Sequence, residues 1–186
     1  MKTPNYSFMM LDLETLSTDP HAAIIQIGAV FHEAGSNWPD QQDFETLIKP
    51  HGVTDPATIH WHREQGTYPI VEAAETRGAE LKQGLAQFKE FYYHVNPEFV
   101  MARSPSFDVT ILNNACRRAS IKPVIHFWQE YCDRTADHLM TELGVPKPPR
   151  DLLEYPKHHA LADAKYQAFC YIYQMEQLRE LLRPRR

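Results

Sequence analysis

The sequence has little that would cross-link a fold or anchor it in a membrane. Its 186 residues include three cysteines, far apart and without a CxxC pair, so we expect free thiols in a reducing compartment. The apolar run at residues 8–11 ends at Asp12, which is too short for a signal peptide or for a membrane span of roughly 20 residues. These absences predict a cytoplasmic protein that does not engage a membrane.

Glycine and basic charge are also scarce. The seven glycines and fourteen prolines show no period, which excludes collagen-like and low-complexity chains. A net charge of −5 argues against a protein that holds nucleic acid by charge alone, although it permits an enzyme whose active site consists of carboxylates. With 43% hydrophobic residues, we expect a single domain over residues 1–186, with a flexible basic tail at 183–186.

The order of apolar patterns predicts an α/β fold. Three strands at 6–13, 23–32 and 42–49 follow one another closely, which favours an antiparallel meander. Gly78 or Gly84 could interrupt the helical pattern at 71–94. We therefore predict a mixed five-stranded central sheet flanked by helices on both faces. The other predicted elements are strands 99–102 and 124–131 and helices 55–65, 107–119, 133–143 and 159–182.

Asp12 and Glu14 are the first candidate site residues. They end an apolar strand, in which alternate residues share a face. Two neighbouring carboxylates raise each other's pKa unless a cation lies between them, and Mg²⁺ or Mn²⁺ prefers such oxygen ligands. The alternative, a solvated pair at a strand end, is the commoner outcome for so short a motif.

Two further segments carry acids at predicted helix starts. Asp108 follows Phe107 after the strand 99–102, where Ser106 or Asp108 could simply cap the helix. Asp163 lies among alanines and a leucine, five residues after His158. An acid in such apolar surroundings calls for a compensating cation, although a helix-start acid is also favoured by the helix dipole alone.

Together, these segments resemble the DEDDh exonucleases, a family with a ribonuclease H-like fold. The family's DxE motif is matched by Asp12 and Glu14, its second acid by Phe107-Asp108, and its HxAxxD motif by residues 158–163. The stretch IIQIGAV at 24–30 is similar to the family's second strand, and the resemblance covers residues 6 to 175. The segments TIHWHREQ at 58–65 and RSPSFDVTIL at 103–112 are similar to a branch of mycobacterial-type 3′–5′ exoribonucleases and phage exonucleases.

The resemblance implies a 3′–5′ exonuclease that hydrolyses single-stranded nucleic acid, with RNA slightly favoured over DNA, to nucleoside 5′-monophosphates. Two divalent cations, Mg²⁺ or Mn²⁺, would clamp the attacking and leaving oxygens, with His158 as general base. The net charge outside the four acids is −5 + 4 = −1, so bound cations could attract a phosphate locally. The four proposed metal ligands are Asp12, Glu14, Asp108 and Asp163.

Substrate contacts are expected from Thr15, Leu16, Trp61 and Arg103. Leu16 and Ser17 stand where the family commonly has Thr and Gly. Leu16 could wedge against the terminal base, and Trp61 could stack on a base or simply pack. Arg103 could meet a phosphate.

Several alternatives remain at this point. The chain could be a nucleic-acid-binding protein with an inactive site, or a metal-dependent phosphodiesterase or phosphatase acting on small phosphate esters. His60 and His62 flank Trp61 but lack further ligands at zinc spacing, so we reject a zinc site there. His159 is expected at the rim of the site or at the helix start. A homodimer is possible, since aromatic residues such as Trp128 could serve an interface.

Overall fold

Within the described residues, five strands form one mixed sheet. The computed structural model describes residues 6–36, 38, 41–148 and 156–183. The sheet order is β3-β2-β1-β4-β5, with the first three strands antiparallel and β4 and β5 parallel to β1. The predicted meander and mixed sheet are confirmed. The strands are β1 (Phe8–Thr15), β2 (Ile24–His32), β3 (Gln42–Leu47), β4 (Phe99–Ala102) and β5 (Glu130–Cys132).

In the described part of the chain, six α-helices pack on the sheet and cover both of its faces, and helices on both faces were predicted. On one face, α6 packs on β1, β2 and β3 through a core that includes Phe8 and Met10. On the other face, the core joins Met9 and Leu11 of β1 to residues of α3 and α4. The helices are α1 (Pro56–Glu64), α2 (Tyr68–Arg77), α3 (Leu81–Val95), α4 (Asp108–Arg118), α5 (Asp133–Glu142) and α6 (Ala160–Leu181).

The long helix expected at 71–94 is two helices, α2 and α3, which separate at Gly78. A side chain at Gly78 would lie 2.4 Å from the carbonyl oxygen of Ala74 and 2.6 Å from the amide nitrogen of Lys49. The chain turns there because Ala79 forms a parallel bridge with Ile48 just beyond β3. Gly84, the other expected break, lies within α3.

The strand expected at 124–131 is wrong for most of its length. Residues Phe127–Gln129 form a 3₁₀ turn, and only Glu130–Cys132 pair with β4. Because β4 is only four residues long, it offers no backbone partners for an eight-residue neighbour. The aromatic side chains of this segment are consequently exposed, at 80% for Phe127 and 63% for Trp128.

The remaining expectations concern thiols, membranes and the tail. Cys116, Cys132 and Cys170 are unpaired, as predicted. Among the described helices, none combines the length and apolar character needed to cross a membrane. Of the basic tail, residues 184–186 lie outside the described part of the chain.

Candidate active site

The acids of β1 continue the strand face that packs against α6. Phe8 and Met10 on this face are buried in the core with Ala164 and Ala168 of α6. Two residues further along the same face stands Asp12, followed by Glu14, which is only 7% exposed. The register of β1 against β2 shifts between Glu14 and Thr15. The strand thus ends in an irregularity next to its carboxylates, where a β-bulge commonly re-aims side chains.

Asp108 reaches the same place from the neighbouring strand. Since β1 and β4 are parallel, their carboxyl ends meet at one edge of the sheet, and α4 begins six residues after the end of β4. Asp108 is the first residue of α4 and is 4% exposed, and no side chain caps this helix. Ser106 instead lies with its hydroxyl 3.0 Å from that of Ser104. The capping alternative for this segment is therefore wrong.

His158 and Asp163 are held by the start of α6. The amide of His158 donates to Oδ2 of Asp163 at 2.8 Å, and His158 has a left-handed backbone with φ 57°. The helix start lies directly on β2, where a side chain at Gly28 would be 2.1 Å from the amide nitrogen of Leu161. Gly28 is the register partner of Asp12. Its lack of a side chain lets α6 bring Asp163 towards the β1 acids.

Gln26 fixes this helix start from the sheet. Its side-chain oxygen accepts from the amide of Ala160 at 2.9 Å, and the glutamine is 1% exposed. It thereby satisfies a first-turn amide that no side chain at the capping position bonds. His159 occupies that capping position, and its Nε2 lies 3.3 Å from Oε1 of Glu45.

All four predicted acids and His158 line one cavity of about 670 Å³. Within it, ligand atoms of Glu14, His158 and Asp163 lie within 4.8 Å of one another. The tertiary structure thus brings together five residues that the chain separates by up to 151 positions, counted from Asp12 to Asp163.

The cavity is electrostatically unfavourable for so many carboxylates. Burial, reinforced by the charges of Asp108 and Glu14, raises the pKa of Asp12 well above its usual range. Burial, with the charges of Asp163 and Asp108, raises the pKa of Glu14 to about 8. Burial also raises the pKa of Asp108 to about 7, although backbone hydrogen bonds oppose it.

The donor set fits divalent cations. Carboxylate oxygens are the ligands that Mg²⁺ and Mn²⁺ prefer. Among the described ion pairs, none joins a Lys or Arg to any of these four acids. Buried carboxylates without a cationic partner are costly, and a bound cation would remove that cost. Asp12, Glu14, Asp108 and Asp163 would hold it.

Two supporting residues were missed in the sequence. Gln167 of α6 donates from Nε2 to Oδ1 of Asp12 at 3.0 Å. It follows Asp163 by four residues and therefore lies one helical turn along the same face, a spacing that could have indicated it. His62 is fully buried, with Nε2 3.0 Å from the carbonyl oxygen of Thr15.

The four predicted substrate contacts differ in their positions. Thr15, Trp61 and Arg103 line the cavity, and Trp61 is 36% exposed. Leu16 is 2% exposed and belongs to a core cluster with Ala23 and Ile25, so the structure does not bring its side chain to the cavity. An apolar side chain that can complete a core is more stable there than in water.

Arg103 is engaged by two carboxylates. Its Nη1 donates to Asp133 at 2.9 Å and to Asp137 at 3.1 Å. Arg103 thus neutralises acids of α5 at the wall of the cavity. His60, by contrast, is exposed, and its Nε2 lies 3.2 Å from Oε1 of Glu64.

Comparison with known families agrees with this geometry. A family model described as the Rv2179c-like 3′–5′ exoribonuclease domain matches residues 7–175. This match confirms the recognition made from the sequence motifs. A search of curated proteins finds no match.

Solved nuclease structures share the fold. The zinc-bound E. coli ExoI–ssDNA complex superposes with a TM-score of 0.66 at 16% identity, covering 95% of this chain and 42% of that one. The cell-death related nuclease CRN-4 gives a TM-score of 0.64 at 16% identity, with 94% and 65% covered. The chain thus spans about two fifths of ExoI. The neighbours confirm the predicted ribonuclease H-like fold.

Proposed function

Because the chain belongs to the family of Rv2179c-like 3′–5′ exoribonuclease domains, we propose that it removes nucleotides from the 3′ end of single-stranded nucleic acid by metal-dependent hydrolysis. The observation that carries the proposal is the cavity in which four carboxylates without a described Lys or Arg partner meet His158. The products would be nucleoside 5′-monophosphates.

In this proposal, the cations, the carboxylates and His158 have different roles in the hydrolysis. When bound, divalent cations would lower the pKa of the attacking water and stabilise charge on the leaving 3′ oxygen. The four carboxylates hold and orient these cations, and Gln167 fixes the Asp12 carboxylate by its hydrogen bond. His158 accepts the proton of the attacking water, a role suited to an imidazole near neutral pH.

The clamp between His158 and Asp163 couples two of these tasks. One carboxylate oxygen of Asp163 accepts from the His158 amide, while the carboxylate also faces the cavity. A metal ligand and a proton acceptor therefore share one rigid element, the start of α6. Such shared support keeps reacting groups in a productive arrangement.

Single strands and RNA are the favoured substrates. The cavity is recessed between β1, α1 and the start of α6, so a frayed 3′ end would reach it more readily than a duplex end. RNA is favoured by the description of the family. The similar ExoI structure contains single-stranded DNA. The discrimination between RNA and DNA therefore depends on contacts to the 2′-hydroxyl of the substrate.

The first experiment incubates the protein with 5′-labelled single-stranded RNA and DNA of one sequence, with Mg²⁺, with Mn²⁺ and with EDTA. We expect a ladder that shortens from the 3′ end only when metal is present, and faster on RNA. Asp163→Ala should abolish it. Glu75→Gln removes a charge from an exposed position on α2 and should behave as wild type.

The same assay addresses the alternatives. Intact oligonucleotides under every metal condition would overturn the exonuclease proposal. Retained binding of the labelled strand would then favour an inactive nucleic-acid-binding protein. Cleavage of a chromogenic thymidine monophosphate ester alone would favour a phosphatase.

A homodimer is part of the proposal through the exposed aromatic residues near β5. Trp128 is 63% exposed and stacks on His126 with ring centroids 4.4 Å apart. Light scattering after size-exclusion chromatography would measure the mass in solution, and Trp128→Ala would shift a dimer towards the 21.6 kDa monomer.

A further inference from the structure

The imidazole of His158 has few contacts to hold it. Its backbone is clamped by Asp163, but within the described residues the ring itself makes no hydrogen bond. Among the described residues, the imidazole contacts the indole ring of Trp61. The centroids of the two rings are 4.7 Å apart, and their planes are at 77°. Such edge-to-face geometry is a favoured aromatic arrangement.

His158 also has a backbone that requires support. Its φ of 57° is unusual for a residue with a side chain and strains the backbone. A conformation of this kind persists only when the surroundings determine it. The Asp163 clamp fixes the main chain, and the ring packing on Trp61 fixes the side chain.

Trp61 is itself anchored by its neighbour on α1. His62 is fully buried, and a carbonyl can only accept, so Nε2 of His62 donates to Thr15 at 3.0 Å. Its Nδ1 lies 2.9 Å from the hydroxyl of Thr67. The rings of Trp61 and His62 also meet edge-to-face at 5.1 Å.

These contacts connect the end of strand β1 to the imidazole of His158. The end of β1, which carries Glu14, holds His62 through the Thr15 carbonyl. His62 fixes α1, and α1 presents Trp61 to the ring of His158. These contacts fix the position of the general base, His158, relative to the proposed metal ligands of β1, although His158 lies on a distant segment of the chain.

We propose that Trp61 is a positioning residue for His158 and acts on the reaction through that imidazole. This inference rests on the proposed nuclease function, in which His158 is the general base. It differs from stacking on a substrate base, because stacking would act on substrate binding and would not require His158.

A double-mutant cycle separates the two roles. We would measure kcat and KM on 5′-labelled RNA for wild type, Trp61→Ala, His158→Ala and the double variant. Trp61→Ala should lower kcat about tenfold, since a misplaced general base loses part of its effect, with KM within about twofold. In the His158→Ala background the same change should have little further effect.

Matched variants check the cause. Trp61→Phe keeps an aromatic ring and should recover most of the lost kcat. Tyr93→Ala removes an exposed aromatic residue from α3 and should leave kcat and KM unchanged. A raised KM at unchanged kcat, or an equal loss in both His158 backgrounds, would overturn the proposal in favour of base stacking.

A measurement without turnover completes the test. In metal-free wild type, nuclear Overhauser contacts between the Trp61 and His158 ring protons are expected, and their absence would overturn the inference. Circular dichroism would show whether each variant folds, and Trp61→Leu would replace Trp61→Ala if the latter did not. If the wild-type protein did not cleave RNA, the nuclease function would be overturned separately. The contact between the Trp61 and His158 rings would still be measured by the nuclear Overhauser effect.

Discussion

Two groups of buried and half-buried acids lie side by side in this molecule, and they differ in their partners. The proposed metal-binding group comprises Asp12, Glu14, Asp108 and Asp163, and none of them has a described Lys or Arg partner. Within this group, the pKa values of Asp12, Glu14 and Asp108 are raised. The second group, Asp133 and Asp137 of α5, is bound by Arg103 and by Lys147, the latter at 2.7 Å from Asp137.

The pKa of Asp137 reflects this difference. Burial alone would raise the pKa of Asp137, but hydrogen bonds from Lys147 and Arg103 hold it below its usual value. Burial raises the pKa of Asp133 in spite of its bond to Arg103. The acids of α5 are paired with Arg103 and Lys147 of the protein itself. The acids that, in our proposal, bind a metal have no described Lys or Arg partner. The contrast predicts opposite responses to the same type of substitution.

The largest effect is expected at Asp12. Asp12→Asn should reduce metal-dependent exonuclease activity about 10³-fold, as for other losses of transition-state electrostatic stabilisation. Because the substitution also relieves repulsion among the acids, it should raise the thermal stability of the metal-free protein. Activity assays and thermal unfolding in EDTA would measure both effects. A variant that is inactive and also less stable in EDTA would contradict the contrast.

A substitution at Gly28 tests the comparison, because Gly28 contacts the start of α6, which carries Asp163 of the proposed metal-binding group. Gly28→Ala would place a Cβ 2.2 Å from the carbonyl carbon of Ala160 and force the start of α6 outward. A displacement of about 1 Å of reacting groups can cost about 10²-fold in rate, which is the loss we expect. Calorimetric titration with Mn²⁺ should show weaker binding. Normal activity would mean that β2 yields instead of α6.

The pH dependence of stability follows from the raised pKa values. The protonated forms of Glu14 and Asp108 are favoured by the fold, with pKa values of about 8 and about 7 against 4.5 and 3.8. Their stabilising contribution is complete below pH 3.8–4.5 and is lost as the pH rises through 7 and 8.

In EDTA, the melting temperature should therefore fall between about pH 5 and 8. A drop of more than about 5 °C is expected, since 1 kcal/mol corresponds to roughly 2–4 °C for a domain of this size. Adding Mg²⁺ should restore stability most at pH 8, where the carboxylates are ionised. The double variant Glu14→Gln/Asp108→Asn should flatten the profile, and an unchanged slope would contradict this origin.

The smallest effect is expected at Asp137. Asp137→Asn leaves Arg103 and Lys147 with one fewer carboxylate and should destabilise the protein by roughly 1.5–3 kcal/mol, the range for hydrogen bonds to charged groups. Activity per folded molecule should change only a few-fold. Chemical denaturation and steady-state kinetics would check both, and a stabilised variant would show that this group does not depend on its cations.

Most elements could be predicted from the sequence, because local periodicity specifies them. Helix α1 and strand β4 were expected within one or two residues of their observed bounds. Strand β5 was misjudged because its length depends on the four residues of its neighbour β4. Aromatic and β-branched residues favour a strand, but only a partner can provide its hydrogen bonds.

The candidate site shows the same division. The shared strand face of Asp12 and Glu14 and the apolar surroundings of Asp163 indicated a cation, and the resemblance to the family indicated the role of His158. No spacing could show that Arg103 is already held by acids of α5, or that Leu16 completes a core. Such pairings depend on contacts between residues far apart in the chain.

The sequence by itself determined the order of the strands and the family, and it predicted the carboxylates and the histidine of the candidate site, because these follow from residue type and local pattern. Only the tertiary structure decided which acids remain without cations and which side chain contacts His158. Burial and long-range contacts set the energy of a charge, and neither has a local signal. The close approach at Gly28, which brings α6 to β1, became visible only when both elements were in place.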